Sequence, residues 1–177
     1  LGPLPINGGA AFRQGFEPFM PGCEAVEMND LKGLERELRR GDVAALVVEP
    51  IQGKGVYIPA DNYLREAQRL SRKHGTLVEY AEVQVGMGRT GRFLCSEHWG
   101  LEPDLVTLAK SLSGGYVPVG ATITRRHIHD KMFSRLDRCQ VHSTTFGQND
   151  LAMAAGLATL HVLDEERLIE RAATIGQ

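Results

Sequence analysis

Apolar positions fall into short β-prone runs alternating with helical stripes. Asn29 or Asp30 can cap a helix that carries Leu31, Leu34 and Leu38 on one face and ends at Gly41. Val43 to Val48 is then a continuous apolar run, as expected of a strand covered on both faces, and Glu49-Pro50 stops it. Asp61 stands where it can cap a second helix, with Leu64, Ala67 and Leu70 inward and Gly75 as the stop. Thr76 to Glu82 reads as the next strand, Gly86 to Gly91 as a glycine-rich loop, and Cys95 to Trp99 as a short helix. Leu105 to Ala109 is a short buried strand that delivers Lys110 and breaks at Ser111-Leu-Ser-Gly-Gly115. Val119 to Thr124 is a further strand, followed by a helical stretch from Arg126 to about Leu136. Leu151 to Leu163 is helical, as is Glu165 to Thr174 behind an Asp164 cap. Ahead of all this, Leu1 to Ile6 shows no helix or strand pattern, and the first 28 residues are rich in Gly and Pro. They predict a meander with at most a short strand at Ala25 to Met28.

Strand-helix-strand alternation with short connections predicts an α/β fold, a mostly parallel sheet with helices on both faces. In such sheets ligands sit beyond the carboxyl ends of the strands. Here those ends are Glu49, Glu82 with its following loop, and Lys110.

Composition narrows the function classes. A formal net charge of -2 over 177 residues, with acidic and basic residues interspersed, points to no nucleic-acid or membrane-surface partner. The basic cluster Arg36 to Arg40 alternates with Glu37 and reads as a solvated helix face. The longest apolar run is far too short to cross a bilayer. Cys23, Cys95 and Cys139 form neither a metal-binding spacing nor a disulfide framework, so a reducing cytoplasm is expected. The chain opens without an initiator methionine and reads as cut from something longer.

Several residues carry candidate chemistry. A lysine at the carboxyl end of an apolar strand is poorly placed for solvation, and desolvation moves an amine towards the free form that attacks a carbonyl. Lys110 is thus a candidate Schiff-base lysine, or else a side chain that snorkels out from the strand end. Gly86-Met-Gly-Arg-Thr-Gly91 matches a dinucleotide fingerprint, but it opens into a polar segment rather than a helix, and no strand ends in an acid at the required distance. A tight, closely packed loop with Arg89 fixed by hydrogen bonds fits better. His127 and His129, two apart, cannot share a metal from one helix face, and His74 and His161 fit surface or boundary positions. Trp99 and the phenylalanines are most simply core. Ser143-Thr-Thr145 reads either as a helix-cap region or as an anion or phosphate contact.

Taken in order, Val47-Val-Glu-Pro-Ile-Gln-Gly53, Glu82-Val-Gln84 with Gly86-x-Gly-Arg-Thr-Gly91, Leu108-Ala-Lys110 with Gly114-Gly115, and Thr145-Phe-Gly-x-Asn149 form a specific combination. The chain resembles the class III aminotransferases, pyridoxal-phosphate enzymes of the aspartate-aminotransferase fold, over essentially its whole length. The resemblance implies that residues 1–177 are the central part of the large, cofactor-binding domain. It implies that Lys110 forms the Schiff base with pyridoxal phosphate and then shuttles a proton. Val83 would pack on one face of the cofactor ring, and Gln84 would hydrogen-bond its phenolic oxygen. Thr145, with Thr144, would bind the cofactor phosphate of a neighbouring subunit, because the family builds its sites across a homodimer interface. Glu49 would help order the site wall. The implied substrates are a small-molecule amino donor and a keto acid.

The departures from the family pattern bear on activity. Leu77-Val-Glu-Tyr-Ala-Glu-Val-Gln84 puts Ala81 where the family has the aspartate that keeps the ring nitrogen protonated. Glu79 lies on the same strand face but about 6.6 Å back along the strand. Glu82 is adjacent and points to the opposite face, Glu79 is an ionisable group in a strand expected to be buried, and Tyr80 adds bulk where a small residue is usual. Lys54 stands where many relatives have a glutamate, a difference that bears on substrate preference. The family's glycine-led phosphate loop, its stacking aromatic and its small C-terminal domain have no counterpart here, so the segment alone is expected to expose edges and apolar faces and to associate. Three readings follow: a transaminating enzyme, a non-catalytic remnant of the fold, and an aminomutase-like use of the cofactor, which Gln84 disfavours.

Overall fold

The computed structural model describes residues 4–176. In chain order its helices and strands are α1 (Ala10–Arg13), α2 (Leu31–Leu38), β1 (Ala45–Val48), α3 (Tyr63–Lys73), β2 (Leu77–Ala81), β3 (Leu105–Leu108), β4 (Ala121–Thr124), α4 (Arg126–Met132), α5 (Asp150–Glu165) and α6 (Leu168–Ile175). The strands form one sheet in the order β1-β2-β3-β4. β1 pairs parallel with β2 and β2 with β3, while β4 turns back antiparallel on β3. This is the mixed, mostly parallel α/β architecture that the alternating pattern predicts.

Register decides which side chains share a face. Leu46, Val78 and Val48, Tyr80, Val106 lie in two adjacent rows on one face, where the first four meet α2 and α3. Leu64 of α3 is fully buried there and Leu38 of α2 nearly so, each such burial contributing about 1.5–3 kcal/mol. Towards β3 the same face is closed by Met87, Val106, Leu108 and Leu112, with Phe93, Leu94 and Leu163 packed against them. The opposite face, carrying Leu77, Glu79, Ala81, Leu105 and Thr107, is only half-buried.

The chain exposes 12296 Å², against about 8,500 Å² for a compact monomeric protein of this mass. Large apolar side chains contribute to it. Leu151, Leu157 and Val162 of α5, with Tyr116, Leu136 and Phe146, all stand exposed.

Local differences from the predicted elements have physical causes. Asp30 caps α2, its carboxylate accepting from Gly33 N at 2.8 Å. Asp61 does not cap α3: Asn62 holds the cap position, without a side-chain hydrogen bond. No strand forms at Ala25 to Met28, since Val26 and Met28 pack against the α2 and α3 core rather than pairing with the sheet. The stretch from Arg126 ends at Met132, and Leu136 falls in a separate 3-10 turn. Asp164 lies inside α5 rather than capping α6, and the break comes at Arg167, in the left-handed region with φ 52°. At the start, Leu4–Ile6 form a 3-10 turn, while the rest of the unpatterned stretch, residues 1–3, lies outside the described residues. Trp99 packs against the core as expected, but Phe12, Phe16 and Phe146 are exposed. The Arg36 to Arg40 face is solvated, with ion pairs to Glu35 and Glu37.

Candidate functional site

The carboxyl ends of the three parallel strands converge, and each delivers one polar group. β1 runs into Glu49, whose Oε2 accepts a hydrogen bond from Gly53 N at 2.8 Å and so closes the loop that follows the strand. β2 runs through Glu82 and Val83 into Gln84. β3 runs through Ala109 into Lys110, which opens a 3-10 turn, Lys110–Ser113, ended by Gly114 in the left-handed region. Lys110 Nζ donates to Gln84 Oε1 at 2.7 Å, and Gln84 Nε2 donates to Gly53 O at 3.3 Å. All three strand ends are thereby tied together through Gln84.

The turn that carries Lys110 is held from beneath and behind. Leu112 is buried against Met87, Val106 and Leu108, and α5 passes so close that a β-carbon on Gly156 would stand 3.6 Å from Leu112 O. Lys110 itself adopts φ 49°, a conformation uncommon for a side chain other than glycine or asparagine. Contrary to the expectation of a poorly solvated strand-end lysine, its side chain is exposed, beside a cleft also lined by Ser113, Gly115, Val117, Pro118 and Val119. The amine leaves the sheet because the left-handed turn directs it outward rather than along β3.

Val83 is half-buried next to Gln84, in the turn that follows β2, while Ala81 and Glu79 share one face of the strand itself. Beside Ala81 the register places Thr107 of β3, and beside Glu79 it places Leu105 and Val47. On the β3 side the neighbour of Ala81 is therefore not a carboxylate, while on the β1 side the register, continued one step past Val48, leads to Glu49. Glu79 is half-buried rather than buried, which spares it the desolvation cost expected of it in a covered strand. Tyr80 fills the core on the opposite face, with its hydroxyl 3.3 Å from Gln68 Oε1, and burial pushes that phenol well above its usual range.

Glu82 is the residue whose role sequence reasoning missed. It is 1 % exposed, and its two carboxylate oxygens accept from Cys95 N at 2.9 Å and Ser96 N at 2.7 Å. It thus satisfies the free amides at the start of the Cys95–Trp99 turn. Burial, with the neighbouring Glu82 charge second, pushes the Cys95 thiol up to about 11. The signal was present only as an acid in a strand followed by a cap-poor turn.

The glycine loop is packed, not open to a nucleotide. A β-carbon on Gly86 would meet Glu82 O at 2.7 Å, one on Gly88 would meet Ile169 at 2.7 Å, and one on Gly91 would meet Ala173 at 2.7 Å. The loop leads into the 3-10 turn at Cys95 rather than into an α-helix. Arg89, expected to be pinned there by hydrogen bonds, is instead exposed. His98, not Arg89, ties the loop, contacting Thr90 O at 3.0 Å.

Thr144 and Thr145 stand exposed at a turn ahead of α5 and are not brought to Lys110. Nor do they cap that helix: Asn149 does, its Oδ1 accepting from Ala152 N at 2.9 Å. His127 and His129 are exposed on α4, where His129 Nδ1 contacts Asp130 at 3.3 Å. His74 is a boundary residue and His161 is exposed. Among the described residues no helix is long and apolar enough to cross a membrane.

Comparison with known proteins places this arrangement in context. The family model described as "Aminotransferase class-III" matches residues 10–177. A putrescine aminotransferase of Pectobacterium atrosepticum is 40% identical over 183 residues, an alignment that takes in 100% of this chain and 38% of that protein. The structure of an ornithine aminotransferase from Toxoplasma gondii, described with partial occupancy of PLP at its active site, superimposes with a TM-score of 0.88 at 39% identity, covering 96% of this chain and 39% of that one. An (S)-enantioselective omega-transaminase from Thermomicrobium roseum gives a TM-score of 0.86 at 32% identity, over 95% of this chain and 42% of its own. The chain therefore spans about two fifths of the length of these relatives.

Proposed function

The chain belongs to the class-III aminotransferase family, and from that premise we propose that its protein carries out pyridoxal-phosphate-dependent transamination between an amino donor and a keto acid. The contact between Lys110 Nζ and Gln84 Oε1 at the strand ends carries the reading. It sets an exposed primary amine beside an amide at the place where parallel sheets receive ligands.

The residues present fit the cofactor's aldehyde edge. Lys110 supplies the nucleophile, and its exposed position leaves it open to a carbonyl. Gln84 gives one Nε2 hydrogen to Gly53 and has a second to offer to a ring oxygen. Val83, half-buried in the turn that follows β2, offers an apolar surface to one side of a ring. When bound, pyridoxal phosphate supplies the electron sink that stabilises negative charge at the substrate carbon. Lys110 then serves as the base and acid that moves a proton at that carbon.

At the ring nitrogen the fit fails. Ala81 has no acid to offer, and its flanking Thr107 has none either. This observation favours the second reading, in which the site binds the cofactor but turns over poorly or not at all. Thr144 and Thr145 are proposed as phosphate contacts across a homodimer interface, because both are exposed and neither is among the groups around Lys110 in their own chain. The exposed apolar side chains of α5 support the same reading, since an apolar helix face is stable when covered. The names of the relatives, putrescine, ornithine and omega-transaminases, favour a donor whose reacting amine is primary and remote from any α-carboxylate. Three unpaired cysteines fit a cytoplasmic setting.

Treatment with pyridoxal phosphate followed by borohydride tests the assignment. The expected result is one reduced adduct that maps to Lys110 and is lost in Lys110→Ala. An adduct spread over surface lysines, or none, overturns it.

A further inference from the structure

Among the described residues Gln84 is the one amide that bridges Lys110 to the β1 end, and its orientation is set from both sides. Lys110 offers donors and no acceptor, so it requires the amide oxygen; Gly53 O is an acceptor, so it requires the amide nitrogen. Exchanging oxygen and nitrogen would set donor against donor at one end and oxygen against oxygen at the other. Which end dominates depends on rigidity. The lysine stem is long and mobile, whereas Gly53 is a backbone group held in place by Glu49, which accepts from its N–H at 2.8 Å.

Gly53 also needs to be glycine for a reason of contact alone. A β-carbon there would lie 2.6 Å from Gln84 Cδ, 2.7 Å from Oε1 and 2.8 Å from Nε2. Its φ lies outside the left-handed region, so the backbone would accept a side chain. The obstacle is the Gln84 amide, which therefore sits flat against the Gly53 backbone.

We propose that Glu49 is a positioning residue: by anchoring Gly53, it fixes the Gln84 amide with its oxygen towards Lys110 and its nitrogen towards the bound ring. The proposal rests on the cofactor reading for its second half only. The link is geometric rather than electronic, because the N–H and the C=O of Gly53 belong to different peptide units. Glu49 acts at two removes and touches neither the amine nor the ring. A half-buried carboxylate on a loop hydrogen bond would otherwise be an ordinary turn feature; what distinguishes it is that the turn's carbonyl faces the active amide.

The test uses Glu49→Ala, Glu49→Gln and Gly53→Ala in the complete protein, with thermal melts to verify folding. The first readout is the Gln84 side-chain NH2 pair in nuclear magnetic resonance spectra of the cofactor-free protein. Glu49→Ala and Gly53→Ala are expected to accelerate solvent exchange of that pair about tenfold, as loss of a hydrogen-bond restraint does. Glu49→Gln, which keeps an acceptor oxygen, should restore slow exchange. The second readout is steady-state kinetics: kcat is expected to fall about tenfold in both disrupted variants with KM within about twofold, the pattern of a misplaced group rather than lost binding. Should Glu49→Ala misfold, Glu49→Asp carries the test, because the shorter side chain keeps the charge but draws the carboxylate back from Gly53 N. Unchanged exchange at Gln84 in a folded Glu49→Ala or Glu49→Asp protein overturns the proposal. Because the first readout needs no cofactor, it separates failure of the relay from failure of the transaminase reading.

Discussion

The carboxylate of Glu82, at the end of β2, accepts the backbone N–H of Ser96 at 2.7 Å while almost wholly buried. That bond, with its twin to Cys95, hangs the Cys95–Trp99 turn from the strand that leads to Gln84. Removing the side chain leaves two buried amides without acceptors. Glu82→Ala is expected to cost about 3–5 kcal/mol in the urea unfolding free energy. Glu82→Gln should cost distinctly less, since one acceptor oxygen remains. Equal losses in the two variants would mean that packing, not hydrogen bonding, is what Glu82 contributes.

Gly91 and Gly41 separate crowding from backbone strain. Both have positive φ, 83° and 74°, but a β-carbon on Gly41 meets nothing within 4 Å whereas one on Gly91 lies 2.7 Å from Ala173 Cβ and 2.8 Å from its Cα. Gly41→Ala should therefore cost about 1 kcal/mol, the left-handed penalty alone. Gly91→Ala should cost about 2–4 kcal/mol, because overpacking adds to that penalty, and it should release α6 to limited proteolysis. Similar losses at both positions would remove the packing argument.

Placing an acid at position 81 is the direct test of the proposed loss of function at the ring nitrogen. Ala81→Asp is expected to raise the rate of the amino-donor half-reaction at least tenfold, with borohydride trapping at Lys110 unchanged. No gain would overturn the proposal that the missing acid at position 81 limits the reaction.

Cys95 gives a pH dependence of stability with a definite sign. Its thiol is raised from the model-compound value of 9.0 to about 11, chiefly by burial. The unfolded chain therefore releases this proton first, and stabilisation present below about pH 9 is lost as the pH rises to about 11. A shift of that size corresponds to about 2–3 kcal/mol. Urea denaturation at stepped pH should show the fall, and Cys95→Ala should flatten its first part. The buried phenol of Tyr80, also raised, extends the decline to higher pH.

Most of the fold was legible in the sequence, because burial periodicity is a local signal. Val43 to Val48, the Leu31-Leu34-Leu38 stripe and the Leu105 to Ala109 run each produced the expected element within a residue or two, although β1, expected to be covered on both faces, has no fully buried residue. The ends were less legible. Asp61 and Asp164 both looked like caps and neither is one, since a cap depends on where the chain turns, not on the residue type alone.

What the sequence determined by itself was the alternation that makes a mostly parallel sheet, the family, and the order of the chemical groups along the chain. Pattern and motif survive without any knowledge of distances. Tertiary structure alone decided what those groups touch. It turned Lys110 outward through a left-handed turn, gave Gln84 two partners from different strand ends, and buried Glu82 as a cap for a segment 13 residues away. Each of these is a contact between residues distant in sequence, set by strand register and loop closure, and no local propensity encodes it.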